Sequence, residues 1–243
     1  MATIFYMDVT PLLNQINYDR SMRFIGEYRK NKVKAARLMK NKILSLAAGL
    51  LFSYAVLLYQ KNDQKCKSSV YLMDLQDLLE IFEKEHSFWW EEWMKIEETP
   101  NGKPYLKDHS DLFFSLSHSG EYAILALSKQ QVGVDIQKWK PVSEGFQKRL
   151  LHEQESLAQN EEQIFATWTV KEAFVKCTGE GLHKDFRQLY TDFDKGCVTD
   201  TKTGMSLPVI QLDLLSGYSV SVCSSEITKQ LVELLNGLDR DVL

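Results

Sequence analysis

Residues 43–59, ILSLAAGLLFSYAVLLY, carry no charge and form a run about as long as the shortest helix that spans a bilayer. Such a segment has to leave water as a whole, so the chain either puts it in a membrane or builds a core around it. The run occurs once, well inside the chain. Ser45, Gly49 and Ser53 repeat at i,i+4 spacing beside a broad apolar stripe of Leu46, Leu50, Tyr54, Leu57 and Leu58. That patterning predicts a buried core helix, with a membrane anchor as the competing reading. With 243 residues, 44% of them hydrophobic and 26% charged, the chain has material for such a core in one large domain or two small ones.

Around this run the sequence reads as mixed α and β. IFYMDV (residues 4–9) is strand-like, and a long helical pattern then begins near Arg29 and continues to about Tyr59. Its first turns are strongly basic, with Arg29, Lys30, Lys32, Lys34, Arg37, Lys40 and Lys42, which suits either a solvated face or a phosphate site. Residues 61–98 hold helical LMDLQDLLEIFEKEH and then FWWEEW. Trp89, Trp90 and Trp93 read as packing groups, because no basic residues interleave with them. TPNGKP (99–104) marks a turn, and LFFSLS and YAILALS, joined through HSGE, make a hairpin. VGVDIQ (132–137) is a short strand, and a helix is expected from about Glu161 to Thr178, ending at Gly179. LPVIQLDLL, YSVSVCS and a helix near residues 228–238 complete the pattern. Strand IFYMDV before KILSLAAGLLFSYAV rhymes with strand VGVDIQ before FATWTVKEAFVKC, which suggests an internal duplication.

The formal net charge of −4 gives no whole-protein field favouring nucleic acid or an anionic membrane, so any anion site is local. Cys66, Cys177, Cys197 and Cys223 are scattered and form no C-x-x-C pair, which argues against a zinc site or a disulfide framework. No signal-peptide pattern opens the chain, and a reducing cytoplasm is the expected setting.

Two segments hold candidate chemistry. Period-2 alternation in VGVDIQ points Val132, Val134 and Ile136 to one face and Gly133, Asp135 and Gln137 to the other. A carboxylate inside so apolar a strand is costly unless paired, hydrogen-bonded or metal-bound, so Asp135 is a candidate ligand; capping a turn is the plainer alternative. In FATWTVKEAFVKC, the residues Ala166, Val170, Ala173 and Cys177 form a core stripe with Phe174 alongside. Glu172 and Lys176 share another face, one turn after Trp168. Taken alone, those two are better read as an ordinary i,i+4 ion pair, stabilising by about 0.2–0.5 kcal/mol. His118, in HSGE, has a plain reading as a backbone-bonding turn residue.

In combination, NGKP, SLSHSG, GVDIQ and WTVKEAFVKCTGEGL, in that order, resemble the surfactin-type, two-lobed 4′-phosphopantetheinyl transferases. The resemblance is dense from residue 103 to 182 and extends to KAARLMKNKILSLAAGLL. It is loose after residue 182 and absent from most of 61–93. W-x-x-K-E-x-x-x-K is the specific signature; GVDI and SHSG corroborate it.

The resemblance implies a set of roles. Asp135 and Glu172 would hold Mg²⁺, or Mn²⁺ as the alternative, against the pyrophosphate of coenzyme A. Lys171 and Lys176 match the two signature lysines, the latter near the phosphates. Ser117, His118, Lys103 and Pro104 would hold the nucleotide end, as would Lys32 and Ser45 of the N-terminal helix, with Lys34, Arg37 and Lys42 as further candidates. Many bacterial relatives have GVDIE where this chain has Gln137, whose amide offers a neutral oxygen to the metal or positions a water. Asp135, Glu172 and Lys176 would be the catalytic set, with Glu172 taking the proton of the attacking serine and Lys176 stabilising the leaving phosphate.

The implied fold is α+β, with two similar lobes related by a pseudo-twofold axis. Each lobe is a small antiparallel sheet packed with a long helix, and the active site lies in the cleft between them. Residues 1–129 would form the nucleotide side and 130–243 the metal and carrier side. The implied partners are coenzyme A and an apo acyl, peptidyl or aryl carrier protein, with no nucleic acid or membrane, for a cytoplasmic monomer. A non-catalytic module that binds coenzyme A or the carrier is the rival reading.

Overall fold

The computed structural model describes residues 2–61, 70–85, 95–155 and 160–225, apart from the side chain of Leu182. The expectations for Cys66, for Trp89, Trp90 and Trp93, and for a helix over 228–238 lie outside the described residues.

The strands of the first sheet are β1 (Thr3–Asp8), β2 (Val70–Leu72), β5 (Phe113–Ser119) and β6 (Tyr122–Ser128), in the order β2-β1-β6-β5. β1, β6 and β5 are antiparallel neighbours, whereas β2 runs parallel to β1, so this sheet is mixed where an all-antiparallel one was expected. The chain travels from β1 to β2 through long helical segments, and a crossover of that length permits a parallel neighbour. β3 (Ile96–Glu98) and β4 (Pro104–Leu106) form a small separate ribbon. The second sheet contains β7 (Val132–Lys138), β8 (Leu189–Asp192), β9 (Cys197–Asp200), β10 (Ser206–Gln211) and β11 (Tyr218–Ser224). Its order is β7-β11-β10-β9-β8, antiparallel throughout.

The helices are α1 (Gln15–Ser21), α2 (Glu27–Ala35), α3 (Met39–Gln60), α4 (Leu75–Lys84), α5 (Glu144–Leu150) and α6 (Glu161–Thr178). The single helix expected from Arg29 to Tyr59 is in fact two, parted at Ala36 and Leu38, which are both extended. The cause is burial. α2 hides only Val33, whereas α3 is buried along nearly all of its length, so a bend lets the basic turns stay in water while the apolar run enters the core. α3 is, among the described residues, the one helix long and apolar enough to cross a membrane, and the protein itself covers most of it. The small-residue line has a local purpose. Ser53 Oγ donates to Phe24 O at 2.7 Å, and Ile25 packs into the space beside Gly49.

Alternation along the strands makes a four-layer stack. Phe5, Met7, Leu125 and Leu127 face α3, and the opposite face of the first sheet sends Ile4, Ile124 and Ala126 into a core shared with Val132, Val134, Ile136, Val220 and Val222. The far face of the second sheet packs Val198, Val209 and Cys223 against Val170, Ala173, Phe174 and Cys177 of α6. Both long helices therefore lie outside, and the sheets meet within. The edge strands β5 and β7 join through hydroxyls. Ser115 Oγ accepts from Val134 N at 3.0 Å, and Ser119 Oγ accepts from Lys138 N at 3.0 Å.

Candidate active site

Two features of local packing bring the carboxylates together. A Cβ built on Gly133 would lie 1.9 Å from Ala173 O and 2.5 Å from Cys177 N, so only glycine lets α6 come down onto β7 at this level. Asp135 projects from the same face two residues on. The helix itself is fixed at its start by a capping box in which Asn160 and Gln163 exchange hydrogen bonds. Glu172 and Lys176 therefore arrive over Asp135 on successive turns of α6.

Asp135 is buried, with 1% of its surface exposed, yet it is well supplied with donors. Ser117 Oγ donates to Oδ1 at 2.5 Å, Lys176 Nζ to Oδ1 at 2.6 Å, and Gln137 Nε2 to Oδ2 at 3.2 Å. Lys176 also donates to Val134 O at 3.1 Å, which uses two of its three N–H bonds. Burial pushes the Glu172 carboxyl up to about 7, with the charge of Asp135 adding to the rise and Lys176 opposing it. Two carboxylates that disfavour each other's charge are suited to share a cation. Among the described residues no group of three or more His, Cys, Asp or Glu is placed to hold a metal unaided. A pair of carboxylates still fits Mg²⁺, which commonly takes one or two of them and completes its shell with water and substrate phosphate.

His118 lies in β5 and its side chain reaches solvent. Crowding by neighbouring groups lowers its pKa, and Lys176 and Arg29 lower it further while a backbone hydrogen bond and Asp135 oppose them. The ring thus lies within electrostatic reach of both the α6 side and the α2 side. Arg29, which the sequence offered only as one member of a basic run, is a further candidate. Its Nε is buried with no hydrogen-bond partner, its Cζ sits 5.6 Å from the Tyr28 ring centroid, and burial lowers its pKa. A buried guanidinium N–H without an acceptor is a ready donor to an anion. Its i,i+3 spacing from Lys32 was the available signal. Lys32 is already occupied, donating to Glu98 Oε1 at 2.9 Å beside Tyr28 Oη at 2.6 Å. Lys34, Arg37 and the partly exposed Lys42 follow it along the chain, and Ser45 is buried in the second turn of α3.

Two of the expected cofactor residues stand elsewhere. Lys171 is fully buried and spends all three donors on Leu150 O at 2.8 Å, Glu155 Oε2 at 2.6 Å and Phe186 O at 3.2 Å. The expectation that it holds coenzyme A is corrected, because it is sealed in a different environment from Lys176 and has no donor to give. Lys103 crosses to the second half of the molecule, donating to Cys177 O at 2.8 Å and Gln131 Oε1 at 2.5 Å, and burial pushes its pKa down. With Asn101 Nδ2 on Gly179 O at 3.1 Å, it satisfies carbonyls at the end of α6. Pro104 opens β4 directly after it.

Comparison with known proteins bears on the same residues. Residues 131–223 match the model of the 4'-phosphopantetheinyl transferase superfamily. The chain is 30% identical over 132 residues to 4'-phosphopantetheinyl transferase gsp of Aneurinibacillus migulanus, covering 51% of this chain and 55% of that one. It is 30% identical over 138 residues to 4'-phosphopantetheinyl transferase Sfp of Bacillus subtilis, covering 51% and 60%. With HetI of Nostoc sp. it shares 36% identity over 104 residues, 37% of this chain and 44% of that protein. The matches thus span little more than half the length of the first two relatives. The matched stretch contains Asp135, Glu172 and Lys176 together with the β7–α6 packing that unites them, and it is this part of the chain that is similar to the 4'-phosphopantetheinyl transferase superfamily.

Proposed function

We propose that this protein transfers the 4′-phosphopantetheine group of coenzyme A to a serine hydroxyl of an apo carrier protein and releases 3′,5′-ADP. The observation that carries the reading is the convergence of Asp135, Glu172 and Lys176 in one partly open cluster. Coenzyme A has a diphosphate and a separate 3′-phosphate. Lys176 and Arg29, which flank His118 electrostatically, offer cations for such a ligand. Mg²⁺ held by Asp135 and Glu172 would neutralise charge on the diphosphate. Glu172, with its pKa near 7, is suited to receive the serine proton as the serine oxygen bonds to the β-phosphorus. The bond from that phosphorus to the bridging oxygen breaks, and the third N–H of Lys176 is free to stabilise the departing phosphate. We place the nucleotide on the side of residues 1–129 and the carrier on the side of 130–243, in a cytoplasmic monomer whose two halves complete one site.

The test is to incubate the protein with coenzyme A, Mg²⁺ and apo acyl, peptidyl and aryl carriers, and to weigh each carrier by mass spectrometry. A gain of one phosphopantetheine, abolished by Asp135→Ala and by Glu172→Ala, is the expected result. Binding of coenzyme A with no gain on any carrier would favour the non-catalytic module.

A further inference from the structure

The cluster around Asp135 is unusually well neutralised by the protein itself. Both carboxylate oxygens already receive donors, from Ser117, Lys176 and Gln137. The residue two positions after Asp135 is an amide, and its Nε2 turns toward Asp135 while Ser119 Oγ, at 3.3 Å, donates to its Oε1. Formally, the carboxylates of Asp135 and Glu172 set against the Lys176 ammonium leave one negative charge. A hard divalent cation would have to displace the Lys176 ammonium from a buried carboxylate at 2.6 Å and would find one unit of charge in return. A diphosphate changes that balance. It brings acceptors that draw Lys176 away, and oxygens that complete the cation's shell.

We infer that the divalent cation enters this site together with the diphosphate of its substrate and not before it, because Lys176 and Gln137 hold Asp135 in a self-neutralised state. The inference rests on the functional reading above. It makes the cation and coenzyme A positively coupled ligands, and coupling of this kind is reciprocal.

Mn²⁺ serves as the probe, with free ion followed by electron paramagnetic resonance on the full chain and corrected for Mn²⁺ bound by coenzyme A alone. Coenzyme A is expected to tighten Mn²⁺ binding by about 5- to 150-fold, and Mn²⁺ to tighten coenzyme A by the same factor in calorimetry. Gln137→Glu is expected to raise Mn²⁺ affinity of the substrate-free protein about tenfold and to narrow that gap. Lys176→Met, which removes the resident cation by a different route, should move substrate-free affinity in the same direction. Equal Mn²⁺ affinity with and without coenzyme A overturns the loading order and leaves the proposed function standing. Failure to bind coenzyme A under any condition overturns both.

Discussion

Two lysines five residues apart on α6 make opposite use of the same chemistry. Lys171 lies in a sealed environment with every donor satisfied, paired with a Glu155 that also receives His152 N and Thr191 N. Lys176 pairs directly with Asp135 at 2.6 Å, with 27% of its side chain exposed and one donor unspent. A fully satisfied buried ammonium holds the structure, whereas one with a free donor at a cleft has something left to offer a substrate. Both lysines belong to the W-x-x-K-E-x-x-x-K pattern, and only their surroundings tell them apart.

Lys171→Ala is the strongest way to break this contrast. Removing the cation strands the buried Glu155, a loss on the order of 3–5 kcal/mol, read as a fall in the urea midpoint. Any folded fraction at low temperature should bind coenzyme A with unchanged Kd. A change in Kd without a change in stability would mean that Lys171 touches the substrate after all.

Lys176→Ala should do the reverse. Its loss is expected to cut transfer about 10²- to 10³-fold, with a smaller fall in stability than Lys171→Ala causes, because Lys176 is part-exposed and Ser117 and Gln137 still donate to Asp135. Equal losses of stability in the two variants would erase the distinction.

How far the sequence foretells this follows from where each partner comes from. α3 and α6 were legible because an uncharged run, and a periodic stripe ending at Gly179, are local signals. Asp135 was legible because a carboxylate in an apolar strand demands a partner. The separation of Lys171 from Lys176 was not, since Leu150 O, Glu155 and Phe186 O reach Lys171 from distant segments. The bend at residues 36–38 was hidden for a related reason. A polar helix with one buried residue has no stripe whose interruption could be noticed. The hairpin of β8 and β9 escaped because TDFDKGCVTD mixes charges into short strands that only α6 and β10 select.

The pH response separates the two sides of α6 more finely. In the presence of coenzyme A, Mn²⁺ binding should weaken about tenfold per pH unit below roughly 7, as Glu172 takes up a proton, with bound metal moving the midpoint lower. Stability runs the other way for this group. Its folded pKa lies above the ordinary 4.5, so its contribution is fully present below 4.5 and is lost as pH rises through about 7. Asp200 is the counterweight. Lys184, Thr203 and the Lys202 amide overcome its burial and hold it down at about 2, so its contribution is present above 3.8 and lost as pH falls through 2. Glu172→Gln should remove the first dependence and leave the second.

The smallest effect concerns the end of the same helix. Asn101 and Lys103 reach across from the turn TPNGKP to carbonyls of Gly179 and Cys177, so the first half of the molecule caps the helix that holds the catalytic candidates. Asn101→Ala deletes one of these bonds at an exposed position, which should cost about 0.5–1.5 kcal/mol, at the lower end because water can reach the freed carbonyl. Lys103 remains in place in that variant. If the cap only closes the helix, stability falls slightly and the Kd for coenzyme A is unmoved. A weaker Kd at unchanged stability would instead mean that the turn sets the spacing between Lys103 and the cluster at Asp135, making the two halves of the molecule a single binding unit.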